Sequence, residues 1–465
     1  MNGSDIYLNN CGNVFIKRDD CLVPVDGDNL PVRIRPFAEK LQSNPYASFF
    51  KTPFHKITYG VHGRLYGEFP MTPGDFNPGS PFDAFYAVRE YLRNGALYLP
   101  RLYLYPTSVC DSHCLLCQFH KRHSESTSLS KDAVLEAMKI LRNHAGEIKR
   151  QALIISGDGE PMMFPYLQET LEKAQELGFS VFLTTNLRKP YQEKQALYET
   201  FIRTCSMITI SIKGLSSEAY GYHQGIKRQG EFEQVMENLR FLSVLRQEYR
   251  REEDCLLGVA SLFLPENTPH YRNMIDRLHN LGIDYFYINQ VEPSIERWGI
   301  SFTEEEQHKT LQQLSGYAVS PHKDMIVRCA GNPFKQAYGN TVYYDAAKLR
   351  IHPGLCGSAL FNPLVLSVDG RVVWRACRNS DLFENTSFAY HVKDGKIAPY
   401  SIAGVMSEAS GCRNCRLERQ VKHFDRIIDL ELKHITGELD YYLVFDMERL
   451  MENDNSFIKF ENVVK

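Results

Sequence analysis

At 465 residues, with 43% apolar and 23% charged side chains, the chain is long enough for two or three domains and has the composition of an ordinary folded protein. A formal charge of −3 supplies no bulk attraction to nucleic acid or to an anionic membrane, and neither is expected as a partner. No apolar run approaches the ~18 residues of a membrane span, and the N-terminal segment lacks a basic stretch followed by an apolar one, so a cytoplasmic protein is expected.

In chain order, the first hundred residues are rich in Gly, Pro, Asp, Phe and Tyr, with an extended stretch at Val14–Lys17 and a proline-dense segment, Phe69–Pro81. They read as a separate N-terminal domain, residues 1–98. From Leu102 the pattern changes to short β-rich runs alternating with helical ones. Strands are expected at Leu102–Tyr105, Ala152–Ile155, Ser180–Thr184, Met207–Ile212, Leu257–Leu264 and Tyr285–Asn289. Helices are expected between them at Ser130–His144, capped by Ser130, and at Tyr166–Leu177, Gln192–Thr204, Glu231–Arg246 and Tyr271–Leu281. Such alternation predicts right-handed βαβ units and a parallel sheet over residues 99–315. Six βα units are too few for a closed eight-unit barrel and suit an incomplete barrel or an open sheet. In either, chemistry collects beyond the carboxyl ends of the strands. Residues 316–420 lose this rhythm, and 421–465 read as a charged, partly helical tail.

Twelve cysteines in a chain with no export signal point to metal or redox chemistry where they cluster. Cys110, Cys114 and Cys117 form a C-x3-C-x2-C run directly after the first strand of the βα array. Three thiolates can hold three corners of a cubane and leave the fourth iron open. A zinc site is the competing reading, with His113, His120 or His123 as the fourth ligand. After the second strand comes Ser156-Gly157-Asp158-Gly159-Glu160-Pro161, where glycines admit a ligand to the backbone and a carboxylate can complement an ammonium. After the third comes Thr184-Thr185-Asn186, and after the fourth Ser211-Ile212-Lys213-Gly214.

The cysteine spacing, its place after the first strand, the glycine-rich turn and the two later strand ends together resemble the radical S-adenosylmethionine (SAM) superfamily over residues 100–290. The stretch Arg228-Gln229-Gly230-Glu231-Phe232 is similar to that family's linker into its next helix, whereas Leu116 stands where the family commonly has an aromatic residue. The resemblance implies an incomplete (βα)6 radical SAM barrel and a SAM-binding [4Fe–4S] cluster on Cys110, Cys114 and Cys117. It also implies SAM contacts from Gly157, Asp158, Gly159, Glu160, Asn186, Ser211 and Lys213, and an electron donor such as flavodoxin or ferredoxin.

A second set, Cys356, Cys377, Cys412 and Cys415, contains a C-x2-C pair, and Cys356 and Cys377 flank an apparent hairpin over Leu364–Trp374 that turns at Asp369-Gly370. It resembles the SPASM/twitch auxiliary domains that follow many radical SAM barrels. The resemblance implies a second, auxiliary [4Fe–4S] cluster, with a zinc ribbon as the structural alternative. Cys329, between barrel and auxiliary domain, is a candidate catalytic residue that returns a hydrogen atom to a substrate radical. The expected substrate is a peptide, epimerised or crosslinked during maturation, with the N-terminal domain helping to hold it. A sugar or aminocyclitol dehydrogenase or epimerase is the small-molecule alternative, and a non-catalytic iron–sulfur or zinc scaffold the alternative of another class.

Overall fold

The computed structural model describes residues 81–117, 127–148, 151–226, 228–252, 254–289, 325–329, 363–368 and 370–375, the single residues 305, 361 and 436, and strands at 6–9, 14–18, 21–25, 390–393, 396–399 and 457–459. Cys356, Cys377, Cys412 and Cys415 lie outside the described residues, as do His120 and His123.

The main sheet is built from β4 (Arg101–Tyr105), β5 (Ala152–Ile155), β6 (Ser180–Thr185), β7 (Cys205–Ser211), β8 (Leu256–Leu262) and β9 (Tyr285–Asn289), each parallel to its neighbour. These are the six strands read from the sequence, displaced by two residues at most. The sheet then continues past residue 315: β10 (Ile326–Cys329) pairs in parallel with β9, and β11 (Leu364–Val368) with β4. β11 and β12 (Arg371–Arg375) form the expected hairpin. The order is β10-β9-β8-β7-β6-β5-β4-β11-β12, with β12 as an antiparallel edge. Segments joining β9 to β10 and β10 to β11 carry no βα rhythm, which hides β10, and the pairing of β11 with β4, from a periodicity argument.

Alternation along the strands separates two layers. Leu102, Leu104, Leu153, Ile155, Leu183, Ile208, Val259 and Phe286 form a mainly aliphatic core on one face. The other carries Tyr103, Tyr105, Ile154, Phe182, Met207, Tyr285 and Tyr287, an aromatic lining. Helices α2 (Lys131–Asn143), α3 (Leu167–Glu176), α4 (Tyr191–Thr204), α6 (Glu231–Glu248) and α7 (Tyr271–Asn280) bury their apolar stripes in the first layer. In α2 the stripe is Val134, Ala137, Met138 and Leu141, and Ser130 caps the helix by accepting from the Ala133 amide at 3.2 Å.

Three features depart from the sequence reading. Helix α1 (Pro81–Asn94), inside the expected N-terminal domain, docks on the sheet-bearing unit: Tyr86 stacks on Tyr98 and accepts from the Glu147 amide, and Tyr91 meets buried Phe361 edge-on. A short helix, α5 (Ser217–Gln224), precedes α6; Gly221 interrupts its apolar period, but its Ser216 cap and left-handed Gly225 are legible stop and start signals. Phe457–Lys459, in the tail expected to be partly helical, is strand β15 and pairs with β1 (Ile6–Asn9). With β2 (Val14–Arg18) and β3 (Cys21–Val25) they make an antiparallel sheet of order β15-β1-β2-β3. A separate hairpin joins β13 (Tyr390–Lys393) to β14 (Lys396–Pro399). No helix among the described residues is long and apolar enough to cross a membrane.

Arg246 locks the end of the sheet opposite the strands' carboxyl termini. Its guanidinium is 4% exposed, pairs with Asp284 and donates to the carbonyls of Cys255 (3.1 Å) and Gly282 (2.5 Å). Asp284 in turn accepts from the Leu257 amide at 2.7 Å, so the pair ties α6 to the start of β8. Removing one partner strands the other. Arg246→Met is expected to lower the unfolding free energy by about 3–5 kcal/mol, measured by denaturant unfolding.

Candidate active site

The cysteine loop, residues 110–117, follows β4 at the carboxyl edge of the sheet. Cys110, Cys114 and Cys117 form no disulfide and are half-buried. Burial pushes the Cys110 thiol up to about 12, and nearby Cys114 adds to that shift. Burial also raises Cys114, against the opposing pull of Lys213 and Arg188. Buried thiols resist ionisation in isolation; a metal supplies the missing positive charge and makes them thiolates.

Loop position is set from three sides. From β5, Gly159 packs where any Cβ would run into the backbone of Thr107, Ser108 and Val109, and the Glu160 amide donates to the Val109 carbonyl at 2.8 Å. From β6, Asn186 Nδ2 donates to Asp111 Oδ1 (2.7 Å) and Ser112 Oγ (3.1 Å). Arg188 bonds the Asp111 carbonyl, pairs with the Asp111 carboxylate at 3.5 Å, and reaches Glu231 on α6 at 3.3 Å. From α5, the His223 and Gln224 carbonyls accept from the amides of Leu115 and His113, each at 3.0 Å.

Glu160 joins two of these sides. It is 4% exposed, and its carboxylate accepts from the Met162 amide (3.0 Å), the Thr185 hydroxyl (2.5 Å) and the Asn186 amide (2.7 Å). Burial pushes its carboxyl up to about 7, against the lowering effect of those donors. The sequence assigns Glu160 to a ligand ammonium; in this geometry the carboxylate is bonded to the β6 turn. Asn186, assigned to SAM, likewise bonds the cysteine loop, while its Oδ1 accepts from the Arg188 amide at 3.1 Å. Gly157 rests on the Tyr105 ring, and Asp158 is buried beside it.

At the end of β7, Ser211 and Lys213 are half-buried. The Lys213 carbonyl accepts from Asn267 Nδ2 (2.8 Å) and Ser261 Oγ (3.2 Å), and Asn267 Oδ1 takes the Leu215 amide at 2.8 Å. Fully buried Asn267 thereby fixes the turn that carries Lys213 near Cys114. Cys329 is the last residue of β10, aligned in register with Ile288 and so also at the carboxyl edge.

Asp111, Ser112, Arg188, Gln224 and Asn267 were not singled out from the sequence. The first two sit inside the C-x3-C run and Arg188 two residues after Asn186, so proximity in sequence was an available signal. Asn267 carries none.

These residues fit an iron–sulfur cluster by their chemistry: three soft sulfur donors in one loop, none consumed in a disulfide, with Cys114 in electrostatic reach of the other two and of Lys213. No three His, Cys, Asp or Glu side chains among the described residues converge closely enough to hold a single metal ion. A cubane takes one thiolate per iron and does not require them to.

Residues 104–249 match the Radical SAM superfamily, and this stretch is a domain of that superfamily. It contains the cysteine loop, the glycine-rich turn, Asn186 and Lys213, and the superfamily implies a [4Fe–4S] cluster and SAM. The chain is also similar to probable GTP 3′,8-cyclases of Saccharolobus islandicus, 21% identical over 269 residues that span 57% of this chain and 79% of the relative. Among solved structures, Streptococcus suis SuiB bound to precursor peptide SuiA aligns over 91% of this chain and 93% of that one, at 13% identity and a TM-score of 0.49. Native anSMEcpe with bound AdoMet aligns over 74% and 87%, at 14% identity and a TM-score of 0.43.

The raised Glu160 value has a consequence for stability. A carboxyl held above its ordinary 4.5 binds its proton more tightly when folded, so folding is favoured at low pH and this contribution is lost as pH rises towards about 7. The unfolding free energy is therefore expected to fall between pH 4.5 and 7, and Glu160→Gln to flatten that part of the profile in denaturant titrations at stepped pH.

Proposed function

We propose that the protein is a radical SAM enzyme that removes a hydrogen atom from a peptide substrate. The observation that carries the class is the convergence of the β5, β6 and α5 ends on the cysteine loop through Glu160, Asn186, Arg188 and Gln224. A scaffold that only held metal would have no need of it.

When bound, the cluster supplies the electron that splits SAM into methionine and a 5′-deoxyadenosyl radical. Cys110, Cys114 and Cys117 are the residues that would hold this cluster. Lys213, half-buried and close to Cys114, is positioned for the carboxylate of a bound amino acid, and Ser211 lies two residues before it for a polar contact. The Gly157–Gly159 turn offers backbone donors and acceptors beside them. Glu160 and Asp158 are assigned to this same binding edge, Glu160 through the β6 turn that it holds. The Tyr103, Tyr105 and Tyr287 lining excludes water from the inner face, which preserves a carbon radical against quenching.

The peptide assignment rests on the antiparallel sheet β15-β1-β2-β3, whose outer strand β3 pairs on one side only among the described strands. A sheet edge of this kind accepts an extended chain by backbone hydrogen bonds. Cys329 is assigned the return of a hydrogen atom to the substrate. Cys356, Cys377, Cys412 and Cys415 are assigned an auxiliary [4Fe–4S] cluster, with a flavodoxin- or ferredoxin-like donor supplying electrons.

After anaerobic reconstitution the chain is expected to hold about eight irons, falling to about four when Cys412 and Cys415 are replaced by Ala. Reduced protein is expected to convert SAM to 5′-deoxyadenosine, and Cys114→Ala to bring this to background. A fully metallated, reduced protein that makes none, with candidate peptides present, would sink the enzyme reading. Mass spectrometry of the product in deuterated buffer separates epimerisation, which adds solvent deuterium, from crosslinking, which loses hydrogen. Cys329→Ala is expected to abolish the deuterium uptake; full inversion in that variant would remove Cys329 from the mechanism.

A further inference from the structure

The end of α5 meets the cysteine loop through backbone and through one side chain. The two amide–carbonyl bonds to His223 and Gln224 need a close approach, and left-handed Gly225 (φ 64°) permits it: a Cβ there would overlap the His113 carbonyl. Between these bonds the Gln224 amide reaches the sulfur itself. Its Oε1 accepts from Cys114 Sγ at 3.2 Å, and its Nε2 faces the Tyr220 hydroxyl at 3.5 Å. Gln224 is 1% exposed and Tyr220 0%, so bulk water offers neither a replacement partner.

This polarity suits a thiol. A sulfur bound to iron is a thiolate and only accepts hydrogen bonds, so Oε1 against it would set two acceptors face to face. Half a turn of the amide exchanges Oε1 and Nε2 while leaving every other atom in place. Nε2–H then donates to Cys114 Sγ, and Oε1 receives the Tyr220 O–H, which has a proton to give. Each group in the row Tyr220–Gln224–Cys114 is satisfied in this second arrangement. The adjoining residues of α5 are already fixed by the loop's backbone bonds, so the change is confined to one torsion.

We infer that Gln224, oriented by Tyr220, is a positioning residue that donates a hydrogen bond to the Cys114 thiolate and thereby raises the reduction potential of the SAM-binding cluster. Reduction adds negative charge to the cluster, and a donor aimed at a ligand sulfur stabilises the reduced form more than the oxidised one. The inference rests on the iron–sulfur reading proposed above.

Its test is the midpoint potential of the cluster in the full chain, followed by electron paramagnetic resonance during redox titration, with iron content measured alongside. Gln224→Met keeps volume and the backbone bond but removes the donor. It is expected to move the midpoint to more negative potential, so that at the wild-type midpoint the ratio of reduced to oxidised cluster falls roughly threefold or more. Tyr220→Phe keeps Gln224 but frees its amide, and a smaller shift in the same direction is expected. KM for SAM should stay near the wild-type value in both. A wild-type potential in Gln224→Met with its irons retained overturns the inference. If Gln224→Met does not hold the cluster, Tyr220→Phe decides, and a wild-type potential there overturns it equally. Wild-type protein that takes up no iron at Cys110, Cys114 and Cys117 would instead fail the underlying reading, a distinguishable result.

Discussion

A carboxylate with no water around it must find its donors inside the protein, and Glu160 finds three: the Met162 amide just after it, and the Thr185 hydroxyl and Asn186 amide across the sheet. The arrangement at the carboxyl edge depends on that pairing. It pins the turn after β5 to the turn after β6, and with the β6 turn fixed, Asn186 and Arg188 can reach back to Asp111 and Ser112. The Glu160 amide meanwhile holds Val109, one residue before the first cysteine. A loop rich in thiols and polar groups, with no apolar stripe of its own, is thus positioned by hydrogen bonds, an ion pair and the close approach of Gly159.

Leu187 displays the cost of this tight turn. It is fully buried with φ at 54°, a backbone region that a branched residue rarely enters. The surrounding bonds over-determine it: its amide donates to Thr185 Oγ1 at 3.0 Å, and its carbonyl accepts from buried Asn238 at 2.8 Å. Asn238 also takes the Tyr191 amide and bonds the Lys189 carbonyl, so α6 supports the turn that supports the cysteine loop. Strain in such a place is consistent with a turn shaped by what it must hold rather than by local preference.

Charge completes the setting. Arg188 and Lys213 both favour a thiolate at Cys114, while Asp111 and Glu231 neutralise Arg188 on its other side. Positive charge is thereby directed at the Cys114 sulfur, with Arg188 neutralised on its far side. Beneath the site the inner face is aromatic, and the opposite face is mainly aliphatic and packed against helices.

The six strands from β4 to β9 and the helices between them were legible because their signal is local: period-two runs, period-3.6 runs and a capping serine. The C-x3-C-x2-C loop, the Gly157–Glu160 turn, Asn186 and Lys213 were legible as strand-end residues for the same reason. Strand β10 was not, nor was the pairing of the expected hairpin's β11 with β4, since each joins the sheet through a partner far away in sequence, and α5 was too short to establish a period. By itself, then, the sequence determined which residues stand at the strand ends and what chemistry three clustered thiols can support. Only the tertiary structure decided which of those residues hydrogen-bond one another. Glu160 and Asn186 look like ligand contacts along the chain, yet they spend their hydrogen bonds on the loops beside them. Asn267, Arg188 and Gln224 do their work across 54, 77 and 110 residues of separation, distances at which no pattern in the sequence survives.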